Sequence, residues 1–153
     1  MIKYYVEALK KYATFSGRAR RKEFWYFGLM NFIIATILGL LLFLSIGNSL
    51  MEIINGQGDI PVLGIIVAII YSLYSLAILI PGLAVGVRRL HDVGKSGWFL
   101  LIPYGGILLQ IIPLIGTLAS LGLNIWFIVL MCKDSQVGEN KYGADPKAEE
   151  RIA

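Results

Sequence analysis

The sequence predicts an all-α membrane protein, a polytopic bundle of four transmembrane helices preceded by an amphipathic interfacial helix at the amino terminus. Hydrophobic residues make up 57% of the chain, against roughly 45–50% in soluble domains. They fall in long uncharged blocks of the length that crosses a bilayer. All 14 lysines and arginines lie outside these blocks, before residue 24, between 88 and 95, and after 132. The 153 residues therefore form one membrane domain.

The first 23 residues (1–23) are predicted to be a cytoplasmic amphipathic and basic segment. In residues 1–13 apolar side chains recur at helical spacing and lysines occupy the opposite face. A basic amphipathic helix of this kind is typical of a membrane interface. Packing beneath the loops of the protein itself is the alternative, and the pattern leaves both open. The long basic region and the long apolar run after it disfavour a cleaved signal peptide.

Two uncharged runs supply the first two predicted spans. Residues 24–46 suffice for one span, because about 20 residues cross the hydrocarbon core. Residues 60–87 supply the second, and the loop between the runs, 47–59, has no lysine or arginine. The sequence Pro-Gly at 81–82 is a place where the second helix can kink before it continues.

The third apolar run is too long for one ordinary span, and Pro-Leu-Ile-Gly at 113–116 divides it into 98–112 and 117–132. Each piece is about 23 Å long as a helix, short of the hydrocarbon core of about 30 Å. The pieces form either a short hairpin or one broken helix that crosses once. Hairpin geometry and the lack of basic residues in the turn favour four spans, with both termini cytoplasmic by the positive-inside rule. The tail, 133–153, is predicted to be a polar cytoplasmic surface segment.

A charged island lies between the second and third runs, and it holds most of the candidate functional residues. It reads Arg-Arg-Leu-His-Asp-Val-Gly-Lys-Ser-Gly-Trp at 88–98, and a second basic motif at 17–25 precedes the first span. With both motifs in the cytoplasm, their charged side chains are expected to meet. We predict a site for anionic headgroups or a partner protein, formed by Arg18, Arg20, Arg21, Arg88, Arg89, His91 and Lys95.

Two interpretations of these charges remain open. In the first, the positive charges set the topology, and Glu23 and Asp92 are structural partners of neighbouring arginines, because partly buried charges need partners. In the second, the arginines hold a phosphate bidentately, with Lys95 as a point charge and Trp25 and Trp98 as interfacial aromatic walls. Basic pockets on the cytoplasmic side are a known way to hold anionic lipid.

The sequence disfavours catalysis and metal binding. His91 and Asp92 are adjacent and do not face each other on a helix, and a single histidine argues against a histidine-rich metal site. Gly-Lys-Ser at 94–96 lacks the earlier glycine of a phosphate-binding loop. We therefore expect no catalytic residue, metal or cofactor and no nucleic-acid partner. The expected partners are membrane lipids, anionic ones among them, with a homo-oligomer as a candidate assembly.

A small oligomeric channel or transporter is the alternative function. The polar residues that such a pore would present are Ser75, Gln110 and Asn124. Flux that depends on Ser75 and not on Arg88 and Arg89 would favour the pore over the lipid site.

Three motifs together resemble the bacterial inner-membrane proteins of the domain-of-unknown-function 805 family. They are Gly-Arg-Ala-Arg-Arg-Lys-Glu-Phe-Trp at 17–25, the charged island at 88–98, and Gly-Glu-Asn-Lys-Tyr-Gly-Ala-Asp-Pro at 138–146. The resemblance covers nearly the whole chain. It implies a multi-pass protein of the bacterial inner (plasma) membrane and brings no agreed activity, cofactor or catalytic residue.

Overall fold

The computed structural model describes residues 1–56, 61–109, 111–112, 114–148 and 150, and within them it is helical with no β-strand. An isolated bridge pairs Asn140 with Gly143. The predicted all-α class is confirmed. The helices, in chain order, are α1 (Ile2–Lys10), α2 (Arg21–Ile54), α3 (Val62–Asp92), a short 3-10 helix (Gly97–Leu101), α4 (Ile102–Leu109) and α5 (Ile115–Cys132).

Three of these helices have the length and apolar composition needed to cross a membrane. The segments concerned are Arg21–Gly47, Val62–Asp92 and Ile115–Cys132. Long apolar helices suit a bilayer because their backbone hydrogen bonds are satisfied within the segment. These three segments confirm a helical membrane protein.

The predicted loop at 47–59 is wrong in its first part, because α2 continues to Ile54. In this last part of the helix the Ser49 hydroxyl donates to the carbonyl of Ser45 at 3.1 Å, so its hydrogen bond is made within the helix. The helix ends before Gly56, whose φ of +70° is a left-handed conformation that glycine adopts without strain. Residues 57–59 lie outside the described residues.

Helix α3 carries the first half of the charged island as its last turn. It runs through Pro81 to Asp92, five residues beyond the predicted end of the span at 87. Gly94, with φ of +72°, ends it: its N–H donates to the carbonyl of His91 at 3.0 Å, and Lys95 N–H donates to Leu90 at 2.9 Å. Arg88, Arg89 and Asp92 therefore all lie within the last five residues of the helix.

The third apolar run forms separate helices that pack on each other. Helix α4 ends at Leu109, before the predicted division at 113–116, and α5 begins within that division, at Ile115. The Ser120 hydroxyl donates to the carbonyl of Gly106 at 2.5 Å. A Cβ on Gly106 would lie 3.3 Å from the Cα of Ser120, so the glycine permits a close approach of the two backbones.

The chain divides into two compact units, Gly28–Ile80 and the remainder, Met1–Phe27 with Pro81–Ala153. In the first, the Tyr74 hydroxyl donates to Oδ1 of Asn31 at 2.5 Å. The second unit contains all the predicted charged residues of the site. We call its charged part, residues 16–23, 88–96 and 133–148, the cap.

Candidate functional site

Asp92 is the centre of the cap, and its side chain is 0% exposed. Its carboxylate accepts hydrogen bonds from Arg18 Nε at 3.0 Å, from Arg89 Nη1 at 2.5 Å and from the Ser135 hydroxyl at 2.6 Å. One buried carboxylate thus compensates two buried guanidinium groups. Such a group is costly to disturb, because removing one partner leaves an unpaired buried charge.

The two arginines also bind backbone carbonyls of the tail. Arg18 donates to the carbonyl of Gly138 at 2.6 Å and to that of Gln136. Arg89 donates to the carbonyl of Met131 from Nε at 3.1 Å and from Nη2 at 3.0 Å, and to that of Lys133. The planar fork of the guanidinium group suits several acceptors at once. The tail is therefore folded onto the end of α3, while most of its residues between 133 and 143 remain exposed at the surface.

Backbone and amide hydrogen bonds join the same three motifs. Ala19 N–H donates to the carbonyl of Arg88 at 3.0 Å, and Gln136 N–H donates to the carbonyl of Asp92 at 2.9 Å. The Asn140 side-chain amide donates to the carbonyl of His91 at 3.0 Å. The motifs at 17–25, 88–98 and 138–146 thus meet in one structure, although 62 residues separate the first two in the sequence and 39 separate the last two.

Arg88 belongs to a second buried ion pair. Its Nη1 lies 2.6 Å from Oε1 of Glu23, and the whole residue is 1% exposed. The Nε and Nη2 atoms of Arg88 are buried and have no hydrogen-bond partner among the described residues. Glu23 and Asp92 therefore each lie against arginines in the manner expected of charge partners.

His91 forms a flat stack with a residue of the tail. Its ring lies 3.8 Å from the Tyr142 ring, centroid to centroid, with 5° between the planes. Its Nδ1 lies 3.2 Å from the carbonyl oxygen of Gly17, so Nδ1 carries the hydrogen when it donates to this acceptor. This stack occupies the end of an apolar groove of about 410 Å³ that is also lined by Phe15 and Trp98.

The predicted site divides into a buried and an accessible part. Arg18, Arg88 and Arg89 are all buried. Acids and carbonyls of the protein accept from Arg18 and Arg89, and Arg88 donates to Glu23 through Nη1. The predicted headgroup contact by these three arginines does not fit the structure, because they have almost no surface for a ligand. The accessible members of the predicted set are Arg20, Arg21, His91 and Lys95.

The accessible cations near the start of α2 line a recess of about 260 Å³, and its residues are Arg20, Arg21, Lys22, Lys147 and Glu150. Arg20 is ion-paired with Glu150 there. Lys147 hydrogen-bonds Asp134, and this bond, with one from the Ser135 N–H, lowers the pKa of the Asp134 carboxyl to about 2. Sequence reasoning missed Lys147, and the signal that existed was the motif at 138–146, just before it.

The two predicted interfacial tryptophans are both accessible. Trp25 packs edge-on against Phe24 at 5.3 Å between ring centroids. Trp98 is 79% exposed and lines the groove beside His91. Aromatic side chains that contact both water and apolar groups are typical of the headgroup level of a membrane.

The residues considered for a pore form local hydrogen bonds. The Ser75 hydroxyl donates to the carbonyl of Tyr71 at 2.8 Å, and the Asn124 amide donates to that of Ser120 at 2.8 Å. Gln110 lies outside the described residues. In the part of the chain that the structure describes, no cluster of three His, Cys, Asp or Glu side chains has the arrangement of a metal site.

Residues 12–144 match the family described as Protein of unknown function (DUF805). Inner membrane protein YhaH of Escherichia coli (strain K12) is 37% identical to this chain, in an alignment that covers 95% of the chain and 98% of YhaH. Inner membrane protein YhaI of the same strain is also 37% identical, with 95% and 97% covered. No solved structure matches the chain. The predicted resemblance is confirmed: the chain is a bacterial inner-membrane protein and belongs to the DUF805 family.

Proposed function

We propose that the protein is a non-enzymatic membrane module whose cap lies at the cytoplasmic surface and binds the headgroups of anionic phospholipids. The observation that carries the proposal is the recess at the start of α2. Four cations line it (Arg20, Arg21, Lys22 and Lys147) against one acid, Glu150. The three buried arginines are not part of this site, because they hold the cap together.

The chemistry of the recess suits a phosphate. Arginine offers paired donors to phosphate oxygens, and lysine adds a point charge. Basic residues beside an anionic leaflet contribute about 1 kcal/mol each to membrane attraction. Three residues of the recess, Arg20, Arg21 and Lys22, come just before Phe24 and Trp25 in the sequence. Phe24 and Trp25 are aromatic residues of the kind found at the headgroup level.

A four-span topology with both termini cytoplasmic accompanies the proposal. Gly97 lies against Val87, since a Cβ on Gly97 would be 2.8 Å from Cγ1 of Val87. At the other end of the run, the carbonyl of Met131 accepts from Arg89. The chain between them thus leaves and returns at the end of α3, which supports a hairpin that enters the membrane and comes back to the same side. The basic residues of the cap favour the cytoplasmic side.

Helix α1 is proposed to lie in the membrane interface beside the recess. Its inner side packs on α2, where Tyr5 stacks on Phe27 at 5.5 Å between ring centroids. Ile2 and Val6 are exposed apolar side chains on α1, which also carries Lys3 and Lys10. A helix that packs one side on the protein and leaves other apolar side chains exposed suits a position in the membrane interface.

The test is lipid retention in native mass spectrometry, with the protein released from nanodiscs of equal phosphatidylglycerol and phosphatidylethanolamine. We expect wild type to retain phosphatidylglycerol preferentially and Arg21→Ala/Lys22→Ala to lose that preference. Lys10→Ala/Lys11→Ala removes the same charge from exposed positions on and next to α1, outside the recess, and is expected to lose much less of that preference. Equal retention of both lipids by wild type, or equal loss in both variants, contradicts the proposal.

A further inference from the structure

The apolar groove beside His91 is not used by the proposed function. Its volume of about 410 Å³ lies within the range of about 300–1,000 Å³ that is usual for ligand pockets. Leu83, Val87 and His91 line it from α3. These residues are spaced by four and share one helix face, so the groove follows α3 from its apolar part to its charged end.

The opposite wall comes from the 3-10 helix, and close packing holds it in place. A Cβ on Gly86 would lie 2.9 Å from Cδ1 of Leu100, which lines the groove. Gly97 approaches Val87 equally closely. The two walls are therefore built on tightly packed backbone, and the space between them is a formed groove rather than a gap between loose side chains.

Two lysines are chain neighbours of residues that line the groove, Lys95 of Ser96 and Lys141 of Tyr142, and neither forms an ion pair with any described residue. Lys95 Nζ lies 5.9 Å from the centre of the Phe99 ring, and Lys141 Nζ lies 4.9 Å from the centre of the Tyr142 ring. Both lysines are exposed. An apolar groove with uncompensated positive charge at one end is complementary to an apolar chain with an anionic head.

We propose that this groove holds one acyl chain of an anionic phospholipid of the cytoplasmic leaflet, with its phosphate at the end where Lys95 and Lys141 lie. The lipid is the occupant that the geometry favours, because the groove leads from the apolar part of α3 to the cap and Trp98 stands exposed at its edge. The inference rests on the proposed function, in which the cap lies at the headgroup level. It adds a second, chain-holding site, distinct from the recess at Arg21 and Lys22.

Two variants test it by the same nanodisc and native mass spectrometry assay with phosphatidylglycerol and phosphatidylethanolamine. Leu83→Trp fills the groove, and Leu121→Trp, at an exposed position of α5, is its matched control. Lys95→Ala/Lys141→Ala removes the charges without touching the groove wall, with Lys10→Ala/Lys11→Ala as control. A surface lysine near an anionic headgroup contributes about fivefold in affinity, so the double variant is expected to bind phosphatidylglycerol about thirtyfold more weakly.

The outcomes separate this site from the recess. Loss of one retained phosphatidylglycerol in both groove variants, with wild-type retention in Leu121→Trp, supports the groove. Unchanged retention in Lys95→Ala/Lys141→Ala overturns it, even where Leu83→Trp is unstable, because exposed lysines are not needed for folding. Loss in Arg21→Ala/Lys22→Ala alone leaves the proposed function standing and removes the groove inference. Loss in the groove variants alone supports the groove and removes the recess as the place where the cap binds the headgroup.

Discussion

Asp92→Asn is the sharpest perturbation of the cap, because it removes one charge and changes almost no volume. The carboxylate is 0% exposed and accepts from Arg18, Arg89 and Ser135. An asparagine there keeps one acceptor oxygen and turns an amide nitrogen toward a donor. Two buried guanidinium groups then lose their negative partner.

The expected cost is about 3–5 kcal/mol, the usual loss when one partner of a buried ion pair is removed. Because Arg18 and Arg89 also hold the carbonyls of Gln136, Gly138, Met131 and Lys133, the tail is expected to detach along with the pair. Denaturation in mixed micelles measures the free energy of unfolding, and trypsin cleavage after Lys141 or Lys147 reports release of the tail.

Asp134→Asn is the matched control. Asp134 is also an ion-paired aspartate of the cap, but its side chain is 59% exposed, and exposed pairs contribute about 0–1 kcal/mol. We expect Asp134→Asn to unfold within about 1 kcal/mol of wild type with its tail protected. If Asp92→Asn matched Asp134→Asn in both measurements, the buried ion cluster would not be what holds the tail.

Three further predictions concern the second ion pair, the surface pair and the hairpin. Glu23→Gln is expected to destabilise the protein by about 3–5 kcal/mol, and adding Arg88→Met to recover most of the loss, because an apolar replacement of a buried pair is close to neutral. In an NMR titration the Asp134 carboxyl is expected to have a pKa of about 2. Lys147→Met is expected to raise it toward the ordinary value of about 3.9. Gly106→Ala is expected to cost about 1–3 kcal/mol in unfolding free energy, because its Cβ would press on α5.

Each of these has its own check. Since the pKa of Asp134 is lowered on folding, its contribution to stability is present above a pH of about 4 and is lost as the pH falls through about 2. A free energy of unfolding that increases as the pH falls through this range contradicts the lowered pKa of Asp134. Gly105→Ala is the control for the hairpin, because a Cβ there meets nothing within 4 Å. Equal effects of the two alanines contradict close packing at Gly106. If the double variant Glu23→Gln/Arg88→Met is no more stable than Glu23→Gln alone, the ion-pair reasoning is contradicted.

Run length and composition alone determined that this is a helical protein of the membrane. The uncharged runs at 24–46 and 60–87 are long enough to cross a bilayer. A run that crosses it as a single segment is helical, because unsatisfied backbone groups are excluded from the hydrocarbon core. The end of α2 was harder to predict. Residues 47–54 include polar residues that suit a loop, but the backbone stays helical to Ile54, and the Ser49 hydroxyl donates to the carbonyl of Ser45.

Only the tertiary structure decided which charges are available to a ligand. Arg18 and Arg20 are two residues apart, yet the first is buried on Asp92 and the second lines an open recess. Arg88 and Arg89 are buried because the start of α2 and the tail meet around the end of α3, and the tail is more than 40 residues further along the chain. The local sequence shows which residues are charged and which helix face they occupy. Whether they are buried depends on which distant segment packs over that face. Here the hydrogen bonds of the tail hold it over the end of α3.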